Sequence, residues 1–325
     1  MHSDWQPSAS LITLQLRNTL LQVIRQYFVD SKSLEVQTPA LSRAAATDPY
    51  IDSYSTEEPG RLWLHTSPEF PMKRLLAAYR VDIHQLATVF RQDESGRHHN
   101  REFLMLEWYR VQYDLNALIQ DAVDLINTCC TALKKPELPV RVVSYVNQVK
   151  ELCGEYPEQL SVADIAAVFK AQGRSFPKSL LVGNTVDDAL TLLIDEFVVR
   201  KFSAKEITAL TEYPVSQASL AGTGVNAQGQ SVALRAEIFI GSVELANGFE
   251  ELTDAQEQQK RFEADNNVRK TMGKVKLPYD ERLIAALRYG LPQCAGMAMG
   301  IDRLFMVLGG YSRLSDVMAF ADSHA

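Results

Sequence analysis

The sequence predicts an α+β fold with a mainly antiparallel sheet, and three observations carry that reading. Strand-like segments occupy the first third and the last third of the chain, while helical periodicities dominate from Asn116 to about residue 205. No internal repeat, low-complexity tract or linker divides the 325 residues into separate composition regimes. The expectation is therefore a single domain over 1–325, with a helical insertion at about 116–205. The third observation is the stretch Cys294 to Arg303, C-A-G-M-A-M-G-I-D-R. Read as a strand, it places Cys294, Gly296, Ala298 and Gly300 on one nearly bare face and Ala295, Met297, Met299 and Ile301 on an apolar one. Glycine within a strand often marks a place where a ligand approaches the backbone.

The remaining elements follow in order. Leu11 to Phe28 carries apolar residues at 16, 20, 23, 24, 27 and 28, the spacing of an amphipathic helix. Leu34 to Thr38 is strand-like and is stopped by Pro39. Trp63–Ser67, Gln85–Phe90 and Phe103–Tyr113 read as strands, with a helix over Pro71–Tyr79. Ser161-x-x-Asp164 is a capping box within the insertion. Val232 to Gly248 returns to strands, and Asp254-x-x-Glu257 begins a charged helix. After Arg303, a helix over Leu304 to Leu308 ends at Gly309-Gly310, which suits a C-cap.

Composition narrows the function. Hydrophobic content of 46% with 22% charged residues is that of a globular protein without a membrane partner. The four cysteines show no C-x-x-C spacing, so neither a zinc site nor a disulfide framework is indicated. No leader peptide and no run of about 18 apolar residues is visible, so a reducing cytoplasm is expected. A net charge of −7 argues against an extensive phosphate-gripping face. The densest basic cluster (Lys260, Arg261, Arg269, Lys270, Lys274, Lys276) is interleaved with acids and reads as a solvated helix face.

Three segments carry chemistry. Val89 to Tyr109 reads as strand, loop, strand, with Arg91 closing the first strand and Phe103 opening the second. A guanidinium fork suits phosphate oxygens, and an aromatic ring suits a stacked base. A charged hairpin with solvated tips would give the same composition. Glu237 to Glu244 fits a hairpin turning at Gly241-Ser242. That register pairs Phe239 with Glu244 and sets Glu244 and Glu237 diagonally on one face. Two such carboxylates call for a cation, magnesium being the common one beside substrate phosphates, unless they are two solvated acids on a wet face. Simple alternation puts Asn247 on the other face, so a bulge near Asn247-Gly248 is expected if it joins them. Thr66-Ser-Pro-Glu-Phe70 places Glu69 just past a strand, where it could hold an ammonium group or simply favour a turn.

Together these segments resemble the catalytic domain of class II aminoacyl-tRNA synthetases, most closely the lysyl branch. Leu34-Glu-Val-Gln-Thr-Pro-Ala-Leu41 is similar to motif 1, Phe90-Arg91 through Glu102-Phe103 to motif 2, and Gly296 to Arg303 to motif 3. Glu244-Leu-Ala-Asn-Gly-Phe-Glu-Glu-Leu-Thr-Asp254 resembles the lysyl-specific stretch before motif 3. The resemblance implies a six-stranded antiparallel sheet flanked by helices, a homodimer built around motif 1, and ATP-dependent activation of an amino acid as its adenylate.

Position by position, it implies that Arg91 neutralises the α-phosphate and that Phe103 and Arg303 sandwich adenine. Gln92, Asp93, Asn100, Leu245 and Gly300 join the ATP site, and Glu237 and Glu244 hold Mg2+. Ser67, Pro68 and Glu69 take an amino group of the amino acid. Tyr109 and Glu251 lie near its side-chain amine, Asn247 near its carboxylate, and Ala298 beside its α-carbon.

Motif 1 begins near residue 34, which leaves no room for the N-terminal OB domain with which a lysyl-tRNA synthetase reads the anticodon, so tRNA is not the expected acceptor. With Pro214-Val-Ser-Gln-Ala-Ser-Leu-Ala221, this resembles the truncated lysyl-synthetase paralogues, the elongation factor P–(R)-β-lysine ligase family. Membership implies transfer of an (R)-β-lysyl or lysyl group to a lysine ε-amine of elongation factor P. The alternatives are a stand-alone lysyl-tRNA synthetase-like enzyme and a catalytically silent regulatory paralogue. Two departures stand out: the motif 2 acid of R-x-E is Asp93, and Arg101 replaces the proline of H-N-P-E-F. Ala298 replaces a third glycine of the lysyl pattern, and its methyl group is expected to favour the β-amino isomer over the α-amino one.

Overall fold

A computed structural model describes residues 5–57, 60–92, 94–181 and 185–322. The chain forms two compact units, one from residues 1–137 and 250–325, the other from Leu138–Phe249. The first opens with helix α1 (Leu11–Asp30), started by Ser10, whose hydroxyl accepts a hydrogen bond from the Thr13 amide. Short strands β1 (Leu34–Glu35), β2 (Leu41–Ser42) and β3 (Trp63–Leu64) lead to α2 (Glu69–Tyr79). The long strands β4 (Ile83–Phe90) and β5 (Glu102–Val111) then precede α3 (Leu115–Ala132).

The second unit begins with β6 (Val140–Ser144), followed by α4 (Tyr145–Cys153), α5 (Val162–Ala171) and α6 (Val186–Phe197). It ends with β7 (Ile207–Pro214), β8 (Thr223–Val225), β9 (Ser231–Ile240) and β10 (Val243–Glu250). The chain returns to the first unit through α7 (Ala255–Thr271), α8 (Glu281–Gly290), β11 (Cys294–Gly300) and α9 (Ile301–Gly309).

The six long antiparallel strands are present, β4, β5 and β11 in one unit and β7, β9 and β10 in the other. Two short strands add parallel pairings that the resemblance does not imply, β1 on β4 and β6 on β7. The stretch expected to be helical thus contains β6, whose Val140 and Val142 stay exposed and carry no clear hydrophobic signal. The expected capping box at Ser161 and Asp164 is made, and Thr185 and Asp188 make another.

Alternation divides β5 between two tasks. Leu106, Trp108 and Arg110 point toward the helices, where Phe28 of α1 meets Trp108 with ring centroids 5.8 Å apart. Buried Asp121 of α3 accepts hydrogen bonds there from Trp108 Nε1 (2.9 Å), Arg110 Nε (2.8 Å) and the Tyr27 hydroxyl (2.6 Å). Phe103, Met105, Glu107 and Tyr109 occupy the opposite face, which builds the site described below. In the second unit the core is aromatic: Phe169 packs edge-on against Phe197 at 4.8 Å, with Leu193, Leu210 and Phe239 in the same cluster.

The basic cluster of α7 is not wholly solvated. Arg269 is buried, and its guanidinium donates to Asp52 Oδ1 (2.8 Å) and to the carbonyls of Asp48 and Val275. A segment remote in sequence claims this cation, so its burial left no trace in the local pattern.

Candidate active site

Strand β11 lies antiparallel to β5 with Gly296 opposite Tyr109, Ala298 opposite Glu107 and Gly300 opposite Met105. The bare face predicted from sequence therefore adjoins the polar face of β5. The two glycines differ in what they accommodate. A methyl group at Gly296 would run into the Tyr109 ring and lie 2.8 Å from Glu251 Oε1, so the chain's own packing requires glycine there. At Gly300 the nearest atoms, those of the Arg303 side chain, would be 3.8 Å away, an ordinary van der Waals contact, so a methyl group there meets no clash within the chain.

Ser67, Glu69, Tyr109, Glu251 and Ala298 come together around this floor. The Ser67 hydroxyl donates to Glu107 Oε2 (2.5 Å) and accepts from the Glu69 amide (3.1 Å), while Pro68 caps α2 without a side-chain bond. The Tyr109 hydroxyl donates to Glu107 Oε1 at 2.7 Å. Lys73, one turn after Glu69, places its ammonium 2.6 Å from Glu69 Oε1 and 2.5 Å from Glu251 Oε2. Sequence reasoning missed both Glu107 and Lys73. Alternation from Tyr109 and the i,i+4 spacing from Glu69 were the available signals.

Three carboxylates packed this closely cannot all ionise freely. Burial, reinforced by Glu69, pushes the Glu107 carboxyl up to about 7. Burial pushes Glu251 up to about 8 against the pull of Lys73, with Glu69 adding to the rise. Burial disfavours the Lys73 charge, but Glu251 and Glu69 outweigh it and hold that ammonium above its ordinary pKa. Lys73 is therefore charged near neutrality, and the carboxylate group retains part of a proton.

Arg91, Phe103 and Arg303 form a second cluster of the same unit. The Arg91 guanidinium lies 5.2 Å from the Phe103 ring centroid, and its Nε donates to the Thr66 carbonyl at 3.4 Å. Glu94 stands between the two arginines, 3.3 Å from Arg91 Nη1 and 3.9 Å from Arg303 Nη2. Arg303 Nε donates to the His98 carbonyl at 3.1 Å. The adjacent Asp302 accepts from the Leu104 amide at 2.7 Å, which fixes the start of α9 against the start of β5. Gln92 is exposed and donates its backbone N–H to the Asp52 carbonyl (3.0 Å); Asp93 lies outside the described residues.

Asn100 is buried, with its amide donating to the Glu102 carbonyl (2.6 Å) and its oxygen accepting from the Asp322 amide (3.0 Å). Arg101, in place of proline, uses what proline lacks. Its backbone N–H and its Nε both reach Asp322 Oδ2, at 3.4 and 2.9 Å.

In the other unit the hairpin has the expected register, Glu244 opposite Phe239, and turns at Gly241 with φ +57°. The bulge falls between Glu244 and Ala246, at buried Leu245, rather than near Asn247-Gly248. That single extra residue sets Asn247 directly opposite Glu237, so Glu237, Glu244 and Asn247 share a face. Arg235, two residues before Glu237 and unremarked in the sequence reading, supplies a cation: its Nη2 is 2.6 Å from Glu237 Oε1 and its Nε 3.3 Å from Asn247 Oδ1. No group of three or more potential metal ligands occurs among the described residues. Two carboxylates still fit magnesium, which usually takes one or two protein carboxylates and fills its shell with water and phosphate oxygens.

The family model for class II tRNA synthetases (D, K and N) matches residues 2–324. The chain belongs to this class II synthetase family. Relatives of this class II chain named elongation factor P–(R)-β-lysine ligase are similar over nearly their whole length. That of Photorhabdus laumondii is 40% identical, over 99% of each chain. That of Haemophilus ducreyi is 40% identical, covering 99% of this chain and 97% of its own. That of Vibrio vulnificus is 40% identical over 98% of both. Among the described residues, no helix is long and apolar enough to cross a membrane.

Proposed function

We propose that this chain is an ATP-dependent ligase that activates (R)-β-lysine as its adenylate and transfers the β-lysyl group to a lysine ε-amine of elongation factor P. The carrying observation is the cluster of half-buried Glu69 with buried Glu107 and Glu251, in which Lys73 pairs with Glu69 and Glu251, an acidic site suited to amino groups. The relatives' shared name supplies the acceptor. The tRNA-charging and silent-paralogue readings are not favoured: such relatives are named as ligases acting on a protein, and the chain keeps Arg91, Glu237, Glu244 and Arg303.

Arg91, Gln92, Asp93, Asn100, Phe103, Leu245, Gly300 and Arg303 serve ATP in this reading. Gly300, whose nearest side chain is that of Arg303, suits the floor beneath a stacked base, and Arg91 suits phosphate oxygens once Glu94 yields. Glu237 and Glu244 hold magnesium, which supplies electrostatic stabilisation of phosphate charge. Ser67, Pro68, Glu69, Tyr109, Glu251 and Ala298 receive the amino acid, and Asn247 its carboxylate. The reaction is positioning and electrostatics: the substrate carboxylate attacks the α-phosphorus, the bond to the bridging oxygen breaks, and pyrophosphate leaves. The acceptor amine then attacks the acyl carbon and AMP departs. No protein nucleophile is required.

We further propose that the whole chain acts as one catalytic domain, as a homodimer in the cytoplasm. Leu34 and Leu41 of motif 1 are 57% and 44% exposed, which suits a self-association surface. ATP–pyrophosphate exchange with (R)-β-lysine and with α-lysine tests the enzyme reading, and absence of exchange with both would sink it.

A further inference from the structure

The most unusual side chain of the first unit is Lys73. Its residue is 1% exposed, and a lysine is almost never buried without paired charges. Its two partners come from distant parts of the chain: Glu69 opens its own helix, and Glu251 follows β10. Glu69 and Glu251 are the residues assigned above to the two amino groups of the substrate. Nothing in that assignment gives Lys73 a role.

We propose that Lys73 is the positioning residue of the amino-acid site, bridging Glu69 and Glu251 at a fixed separation and setting the charge of the site to suit a substrate with two ammonium groups. The inference rests on the reading of the site as one for a diamino acid. Fully ionised, Glu69, Glu107 and Glu251 carry three negative charges and Lys73 one positive, which leaves two negative charges. A diamino acid brings two ammoniums and balances the site. An amino acid with one ammonium leaves one of these carboxyls either charged without a partner or protonated, and neither state matches a paired ammonium.

Geometry supports positioning over direct contact. Lys73 directs its ammonium between the two carboxylates, and each of them has a second anchor. The Glu69 backbone is fixed by Ser67, and the Glu251 amide donates to the Cys294 carbonyl at 3.0 Å. Glu107 and Tyr109 of β5 and the Cys294 thiol of β11 are the other titratable groups facing this cluster. No other cation appears among the described charged groups that act on Glu107 and Glu251. Loss of Lys73 would leave three like charges to share protons, with Glu69 and Glu251 free to swing apart.

The test compares the full-length wild type with Lys73→Met and Lys73→Arg in ATP–pyrophosphate exchange, with (R)-β-lysine, α-lysine and norleucine as substrates. ATP-analogue binding and melting temperature report on folding. The wild type should use the diamino acids and reject norleucine, which has one ammonium. Lys73→Met should raise KM for the diamino acid by at least about 100-fold, below the full loss expected for removing one partner of a buried ion pair. KM for ATP should stay within about threefold, and Lys73→Arg should recover at least about a tenth of the loss, since charge is kept and geometry changed. An unchanged amino-acid KM in Lys73→Met would overturn the positioning role while leaving the ligase reading intact. Absence of exchange in the wild type would overturn both. Should Lys73→Met not fold, Lys73→Arg decides: a rise confined to the amino-acid KM supports the proposal, and equal losses in ATP binding and amino-acid KM contradict it.

Discussion

Gly296 and Tyr109 face each other across β11 and β5, and the ring of one occupies the volume that a side chain on the other would need. The same volume borders Glu251 Oε1. Gly296→Ala should therefore displace both Tyr109 and Glu251. Overpacking of this kind costs about 1–3 kcal/mol. Denaturant unfolding should show that loss, and KM for the amino acid should rise by roughly tenfold or more, the equivalent of about 1.4 kcal/mol.

Ala298 stands opposite Glu107 and packs against the cluster of Ala87, Val89 and Met105. Its methyl group is the one carbon that separates this floor from the glycine pattern of the lysyl branch. Ala298→Gly should move the preference toward α-lysine, by about 10–200-fold in relative kcat/KM, the worth of one carbon in a close-fitting pocket. Competition between the two isomers in pyrophosphate exchange measures this, and an unchanged ratio would remove Ala298 from substrate selection.

The raised carboxyls make substrate capture depend on pH. Glu107 at about 7 and Glu251 at about 8 must shed protons before they can pair with ammonium groups. The substrate ammoniums stay protonated over this range, so kcat/KM for the amino acid should climb from about pH 6 to about pH 8.5, by at most about tenfold per unit for each proton released. The stability of the free protein moves the opposite way. The folded carboxyls bind protons more tightly than unfolded ones, so their contribution is present at low pH and is lost as pH rises through 7 to 8. A titration of melting temperature with and without the amino acid checks both signs.

Arg91 lies over Phe103 and is paired with Glu94. If its guanidinium stabilises charge growing on the α-phosphate, Arg91→Ala should lower the exchange rate by about 10²–10³. Melting temperature should change little, because Arg91 is only half-buried.

The strand pairing and hairpin register around this site were legible because strands and turns announce themselves locally. The C-A-G-M-A-M-G alternation gave the floor, and Gly241-Ser242 gave the hairpin register of Glu244 and Phe239. What escaped was set by pairing between distant segments. Leu245 bulges because β10 must fit β9, which no residue in Glu244–Asn247 signals by type. Arg269 read as a solvated cation although Asp52, remote in sequence, closes on it, and Lys73 drew no reading because its pairing with Glu251 comes from a distant segment. Arg101 looked like a defect in its motif, yet Asp322, more than 200 residues later, receives both its backbone N–H and its guanidinium.

Transfer to a protein acceptor is open to one direct measurement. Purified chain, ATP, magnesium and (R)-β-lysine would be incubated with elongation factor P and, separately, with lysine tRNA, and each acceptor examined by intact mass. Elongation factor P should gain one β-lysyl group on a single lysine, and the tRNA should stay uncharged. Aminoacylated tRNA with unmodified elongation factor P would contradict transfer to a protein.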